Sequence, residues 1–191
     1  MVKKTGCIIM ASGQSVRFGS NKLLAEFAGK TLIQRILDIT DGVFEQRVVL
    51  TRTKEVEQLC REQGIDVILH NYPYRNQAVR IGIEHMEEMD GVVFCPSDQP
   101  MLSRETLMHM KEVFKEENQE LLRVCAGDKQ GAPVLFGKKY FEELKQLPEK
   151  KGGSYLLKKY PNRIRLVEID DEKELFDIDT GEDFNQLLSI I

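Results

Sequence analysis

Residues 6–24 read GCIIMASGQSVRFGSNKLL. An apolar run at 7–10 breaks into a loop of small residues carrying Gly13, Ser15, Gly19 and Ser20, with Arg17 and Lys22 set into it. A buried strand that ends in such a loop suits a polyphosphate: backbone N–H groups approach an anion closely where there is no Cβ, and the cations neutralise its charge. An ordinary βα turn with solvated Arg17 and Lys22 has the same residue types, so both readings stand at this point. Two common phosphate loops are excluded. Five residues separate Gly13 from Gly19, and Lys22 does not follow the second glycine directly, so this is not a Walker motif. No GxGxxG is present, so the Rossmann dinucleotide fingerprint is absent too.

Outward from this stretch, apolar runs alternate with amphipathic ones. Short buried strands are predicted at 7–10, 47–51, 66–69 and 91–95. Helices are predicted from an N-cap at Thr31 through Leu37, over 54–63 with Gly64 as C-cap, over 77–89, and from Ser103 to about Lys115. Such alternation argues for a parallel sheet covered on both faces. Later strands at 121–126, 133–136, 164–169 and 175–178 leave too little chain between some pairs for a helix, which predicts an antiparallel part. Short helices at 139–147 and 155–159 and a last one at 181–188 complete an α/β chain. Its fold class is a three-layer α/β/α arrangement around a mostly parallel mixed sheet, and residues 1–191 read as a single domain.

Composition narrows the partners. Of 191 residues, 41% are hydrophobic and 30% charged, as in an ordinary globular domain, and the net charge of -4 gives no global field for nucleic acid. Any anion site must be local. Cys7, Cys60, Cys95 and Cys125 form no CxxC pair, so reduced, buried thiols in a cytoplasmic protein are expected. No apolar run approaches the length of a membrane span or a signal peptide, so no membrane partner is expected.

Two further features carry chemistry. Ser97-Asp98-Gln99-Pro100 directly follows the strand at 91–95, where open α/β sheets bind ligands outside the carboxyl ends of their strands. An Asp there suits Mg2+, which favours one or two carboxylates plus phosphate oxygens; an Asx turn before the proline is the plainer reading. Asp177-Ile178-Asp179-Thr180 lies near the end of the chain, and alternation along a strand points Asp177 and Asp179 to one side. Either could complete a metal site begun by Asp98. Equally, Asp179 or Thr180 could cap the last helix, with Glu182 and Asp183 favoured by its dipole. Arg75 and Arg80 are either phosphate contacts or solvated. Tyr72 and Tyr74 either stack on a ring or cover a core edge. His70, His85 and His109 show no metal-ligand spacing.

These motifs in this order resemble a family. MASGQSVRFGSNKLLAEFAGKTLI is similar to the signature of nucleotidyltransferases related to molybdenum cofactor cytidylyltransferase and guanylyltransferase, and lies closer to the cytidylyltransferase branch. PSDQP resembles their D-Q-P loop, GAPVLF their G-x-P-V-L-F strand, and DIDTGEDF their closing D-(I/V)-D-T-P-E-D motif. The resemblance spans the chain. It implies a GT-A-like fold, shared with nucleotide-diphospho-sugar transferases, and transfer of a nucleoside monophosphate from an NTP, with CTP favoured. The acceptor implied is phosphorylated, such as molybdopterin, with a molybdoenzyme as a possible client.

By the same resemblance, Ala11, Ser12, Gly13, Ser15, Arg17, Gly19 and Lys22 bind the nucleotide, together with Asn71 and Arg80. Arg17, Lys22 and Asp98 are the catalytic set, and Asp98 and Asp179 hold Mg2+. Two segments depart from the pattern. NYPYRNQAVRIGI has Tyr74 where a glycine falls and Ala78 in place of a serine, so only Asn71, Arg80 and Gly82 fit. The G-D-x-G-A-R motif on the acceptor side is represented by Glu149-Lys150-Lys151-Gly152-Gly153-Ser154, without its Asp and Arg. Alternatives are therefore a nucleotide-binding accessory protein for molybdoenzyme maturation and a sugar-phosphate nucleotidyltransferase.

Overall fold

Strand β1, Thr5–Ala11, is buried along almost its whole length and lies inside a seven-stranded sheet. The computed structural model describes residues 3–13, 18, 21–116 and 120–189. β1 is flanked by two parallel neighbours, β4 (Gln46–Thr51) and β6 (Gly91–Pro96), and β5 (Val67–Leu69) runs parallel beyond β4. These apolar runs suit strands covered on both sides. Past β6 the direction changes. β8 (Lys129–Gly137) is antiparallel to β6, β7 (Leu121–Ala126) is antiparallel to β8, and β9 (Arg165–Glu168) is parallel to β7. The order is therefore β5-β4-β1-β6-β8-β7-β9. The two short strands Glu26–Phe27 (β2) and Lys30–Thr31 (β3) form a separate ribbon, turned by Ala28 and Gly29 at positive φ.

Period-two alternation sends Cys7, Ile9 and Ala11 into one core and Ile8 into the other. On the first face lie α1 (Leu32–Thr40), α2 (Lys54–Glu62) and α4 (Arg104–Glu116). Their buried residues are spaced for one helical stripe each: Leu32, Ile33, Ile36 and Leu37; Val56 and Cys60; Leu107, Met110 and Phe114. On the second face lie α3 (Arg75–His85), α5 (Phe141–Lys145) and α6 (Ser154–Lys159). Three layers result, as the strand–helix alternation implies. Thr31 caps α1 by accepting from Gln34 N, and Ser103 Oγ accepts from Thr106 N before α4.

Two expected elements change. The helix expected over 77–89 runs from Arg75 to His85, and Met86 and Met89 instead close turns onto Ile83 and Met86 while staying buried. Their burial mimics the helical spacing, so periodicity overran the true end. The strand expected at 175–178 does not form. A 3-10 turn, Glu172–Leu175, is capped by Asp171, and the next residues make one ladder-like bond, Ile178 N to Asp98 O at 2.9 Å. That bond joins the end of the chain to the loop after β6. A small third core of Phe27, Leu32, Ile178 and Leu187 seats α7, Gly181–Leu188, beside it. Among the described residues, no helix is long and apolar enough to cross a membrane.

Candidate active site

The carboxyl ends of β1, β4 and β6 open into a cleft of about 850 Å³ that continues over the second face of the sheet toward α6. This is where an open α/β sheet leaves room between diverging loops. Lys22 sits in it on a 3-10 turn, Lys22–Leu24, which Asn21 caps by accepting from Leu23 N while Leu23 inserts into the core. The Lys22 side chain is only 7% exposed. Its Nζ donates to Asp98 Oδ2 at 2.8 Å, to the Ile178 carbonyl at 2.6 Å and, more weakly, to Asp179 Oδ1 at 3.4 Å. Three segments distant in sequence thus meet on one ammonium.

Each carboxylate is held by its own local structure. Asp98 lies in the bend after β6, next to Ser97, whose hydroxyl donates to the Met10 carbonyl at 2.8 Å. Asp179 precedes a capping box: Thr180 Oγ1 accepts from Asp183 N, and Asp183 Oδ2 accepts from Thr180 N and from Asp179 N at 3.0 Å. Thr180 therefore takes the cap, and the Asp179 carboxylate faces Lys22. Thr180→Ala should cost about 1 kcal/mol of stability, a fall in Tm of about 2–4 °C. An unchanged thermal melt would contradict a stabilising role for the cap.

Asp177 also lines the cleft and accepts from Gln99 Nε2 at 2.9 Å. Its carboxyl is pushed up, first by the surrounding protein and then by the charges of Asp98 and Asp179. Asp98 and Asp179 share the Lys22 ammonium, and Asp177 lies near enough to feel the charge of both. This donor set fits a hard divalent cation bound by one or two carboxylates with substrate oxygens completing the shell. It is not a closed cage, since no cluster of three or more metal-ligating side chains occurs among the described residues.

The other end of the cleft is tied by Ser12. Its hydroxyl donates to the Leu50 carbonyl at 2.9 Å, which leaves the oxygen to accept from His70 Nε2 at 2.8 Å. His70 stacks on Tyr72 with ring centroids 5.5 Å apart, and burial, then the nearby Arg52, lowers its pKa. Ser12, Gly13, Tyr72 and Tyr74 all line the cleft. Ser15, Arg17 and Gly19 lie outside the described residues.

The structure does not bring every nominated residue to this place. Ala11 is a core residue at the end of β1. Asn71 is exposed and outside the lining. Arg80 is on the outer side of α3, paired with Glu84 at 3.0 Å, because Val79 and Ile83 take the inward stripe. Conversely, Arg52 and Arg123 line the cleft although sequence reasoning passed over them, and Gln99, read only as part of the D-Q-P loop, holds Asp177. Arg52 directly follows β4, so its position at a strand's carboxyl end was an available signal. Arg123 interrupts an apolar strand, which was another.

Comparison with known proteins agrees with this fold. A model of the MobA-like NTP transferase domain matches residues 7–164. A probable molybdenum cofactor guanylyltransferase of Aquifex aeolicus is 25% identical over 98% of this chain and 92% of its own. One of Bacillus cereus is 31% identical over 70% of this chain and 68% of its own. Among solved structures, Rv0371c of Mycobacterium tuberculosis H37Rv superposes with a TM-score of 0.88 at 25% identity, covering 99% of this chain and 100% of that one. The same protein has also been solved in complex with manganese, at a TM-score of 0.80 and 22% identity, with 99% and 100% covered. The chain belongs to the MobA-like NTP transferase domain family and is a nucleotidyltransferase.

Proposed function

We propose that the protein transfers a nucleoside monophosphate from an NTP to the phosphate of a molybdopterin-type acceptor and releases pyrophosphate. The observation that carries this is the convergence of Asp98, Asp179 and the Ile178 carbonyl on Lys22 Nζ. Phosphoryl-type transfer needs little covalent chemistry from the protein. It needs fixed charge where the α-phosphate and the leaving pyrophosphate gather theirs. Gly13 lines the cleft where a donor phosphate would lie and Lys22 supplies a cation there, and the family motif assigns Ser12, Ser15, Arg17 and Gly19 to the same donor loop. Asp98 and Asp179 would hold Mg2+, whose chemistry there is to neutralise phosphate charge. An acceptor phosphate oxygen forms the new bond to the α-phosphorus while the bond to pyrophosphate breaks.

The relatives named guanylyltransferase support molybdopterin as the acceptor and GTP as the donor. CTP is the second reading, because the opening signature lies closer to the cytidylyltransferase branch. We read residues 1–191 as one domain, since one sheet takes strands from Thr5 to Glu168. The four buried, unbridged cysteines support a cytoplasmic setting.

The test is pyrophosphate release with Mg2+, each NTP in turn and reduced molybdopterin, with sugar phosphates as parallel acceptors. Release with GTP at least about ten times faster than with CTP, a difference of about 1.4 kcal/mol in barrier, is expected. The reverse ranking selects CTP. NTP binding without release for any molybdopterin pair overturns the transferase reading in favour of an accessory role. Release with a sugar phosphate alone changes the acceptor.

A further inference from the structure

We propose that Arg123, with Arg75 as the second cation of the same cleft, anchors the anionic group of the acceptor. On this account the cleft selects a flat ring system by the phosphate it carries. The inference rests on the transferase reading above.

Arg123 lies on β7 opposite Val134 of β8, next to a register shift between Arg123 and Cys125. Such irregularities re-aim a side chain. Opposed residues share a face, so Arg123 is on the side of Val134 and Phe136, and Phe94 is paired with Val134 in turn. These apolar residues and Met10 line the cleft beside the guanidinium. A ring system can lie over them, and the cation marks where its charged end must go.

The charge on Arg123 is poorly balanced within the protein. Nε donates to the Gly131 carbonyl at 3.2 Å, Nη1 to Gln130 Oε1 at 3.2 Å and Nη2 to the Gln130 carbonyl at 3.3 Å. All three acceptors are uncharged, and no carboxylate among the described residues lies within ion-pair distance. Burial lowers the Arg123 pKa, which reports the same deficit. A half-buried cation held this way gains from an anionic ligand more than a solvated one does, since its desolvation is already spent. The geometry leaves the means to bind one. A guanidinium has five N–H donors, and three are used, so one hydrogen on each Nη remains for phosphate oxygens.

Position links this guanidinium to the reacting end. Gly131, which holds Nε, abuts Leu175: a Cβ on Gly131 would meet Leu175 Cδ2 at 2.9 Å. Arg123, Gly131, Asp177 and Asp179 all line the one cleft, so the anchor and the carboxylates face the same cavity. Arg75 enters from the first residue of α3. Its stem is packed on Gly152, where a Cβ would lie 2.6 Å from Arg75 Cδ. The loop at 149–154 contributes no arginine of its own, and its glycine instead makes room for one from α3.

The experiment uses the whole protein with Arg75→Ala, Arg123→Met and Arg123→Lys. Binding of reduced molybdopterin and of its dephosphorylated form is measured in the presence of a non-hydrolysable NTP, alongside steady-state kinetics. Arg75→Ala and Arg123→Met should each weaken phosphorylated acceptor binding and raise its KM by about 10- to 100-fold. NTP affinity and binding of the dephosphorylated form should stay within about twofold. Arg123→Lys should recover part of the loss, because charge returns without the guanidinium. Unchanged acceptor affinity in both removals, or equal wild-type affinity for the two acceptor forms, overturns the anchor. So does a wild type that binds no molybdopterin. Arginine-dependent binding without pyrophosphate release overturns the transferase reading and leaves the anchor standing.

Discussion

Asp98→Asn should lower kcat by about 10²- to 10³-fold, the scale on which a single preorganised electrostatic group acts in such sites. The substitution is nearly isosteric. The carbonyl oxygen of the new side-chain amide can still accept from Lys22 Nζ, and the backbone bond from Ile178 N to the carbonyl of residue 98 is untouched. What disappears is a negative charge in a cluster that also contains Asp177 and Asp179. Lys22 then neutralises a larger share of what remains, and the pull on a divalent cation falls. Loss of fold is not expected, because the side chain is still partly open to solvent, at 27% exposure. The check is pyrophosphate release across a range of Mg2+ concentrations, with thermal melts run in parallel. Partial recovery at high Mg2+ identifies a weakened ligand; wild-type turnover at every concentration rules out the metal-holding role.

Much of this arrangement is legible without coordinates, and the legible parts share a physical origin. β1, β4 and β6 read as strands because burial on both faces demands short, continuous apolar runs, here CIIMA, VVLT and GVVFC. Loops at their carboxyl ends then fall on one edge by topology alone, which is why Lys22 and Asp98 could be placed together. What was not legible depends on contacts far apart in the chain. Met86 and Met89 are buried by the sheet rather than by a continuing helix, so their spacing misleads. Residues 175–178 read like a strand, but strand identity needs a partner, and Asp98 supplies only one bond. Arg80 fits a family pattern, yet its place on α3 turns it to Glu84. Arg123 gains its meaning from Gln130 and Gly131 across a hairpin and from the apolar residues around them, none of which a single strand reveals.

Lys22→Ala should act in two opposite directions, and that pairing is its signature. Turnover should fall by about 10²- to 10³-fold and NTP should bind more weakly, because the donor loop loses a cation placed against the triphosphate. Affinity for Mn2+ without nucleotide should rise. In the free protein the ammonium stands on both Asp98 Oδ2 and Asp179 Oδ1, so a metal must compete with it for the same oxygens. Removing the competitor takes one positive charge from both carboxylates, and a divalent cation can stand in its place. The stability change has a separate cause: the Ile178 carbonyl loses a 2.6 Å donor at a buried position. An unmet buried acceptor costs about 1–3 kcal/mol, so Tm should fall even where Mn2+ binding improves, and added Mn2+ should restore part of it. Lys22→Met, which keeps the stem, separates lost charge from lost packing. Mn2+ titration followed by electron paramagnetic resonance reads the metal term, and calorimetric NTP titration reads the donor term. Unchanged NTP affinity and rate would remove Lys22 from the donor site. Unchanged Mn2+ affinity would mean that the carboxylates and the ammonium do not compete with metal in the free protein.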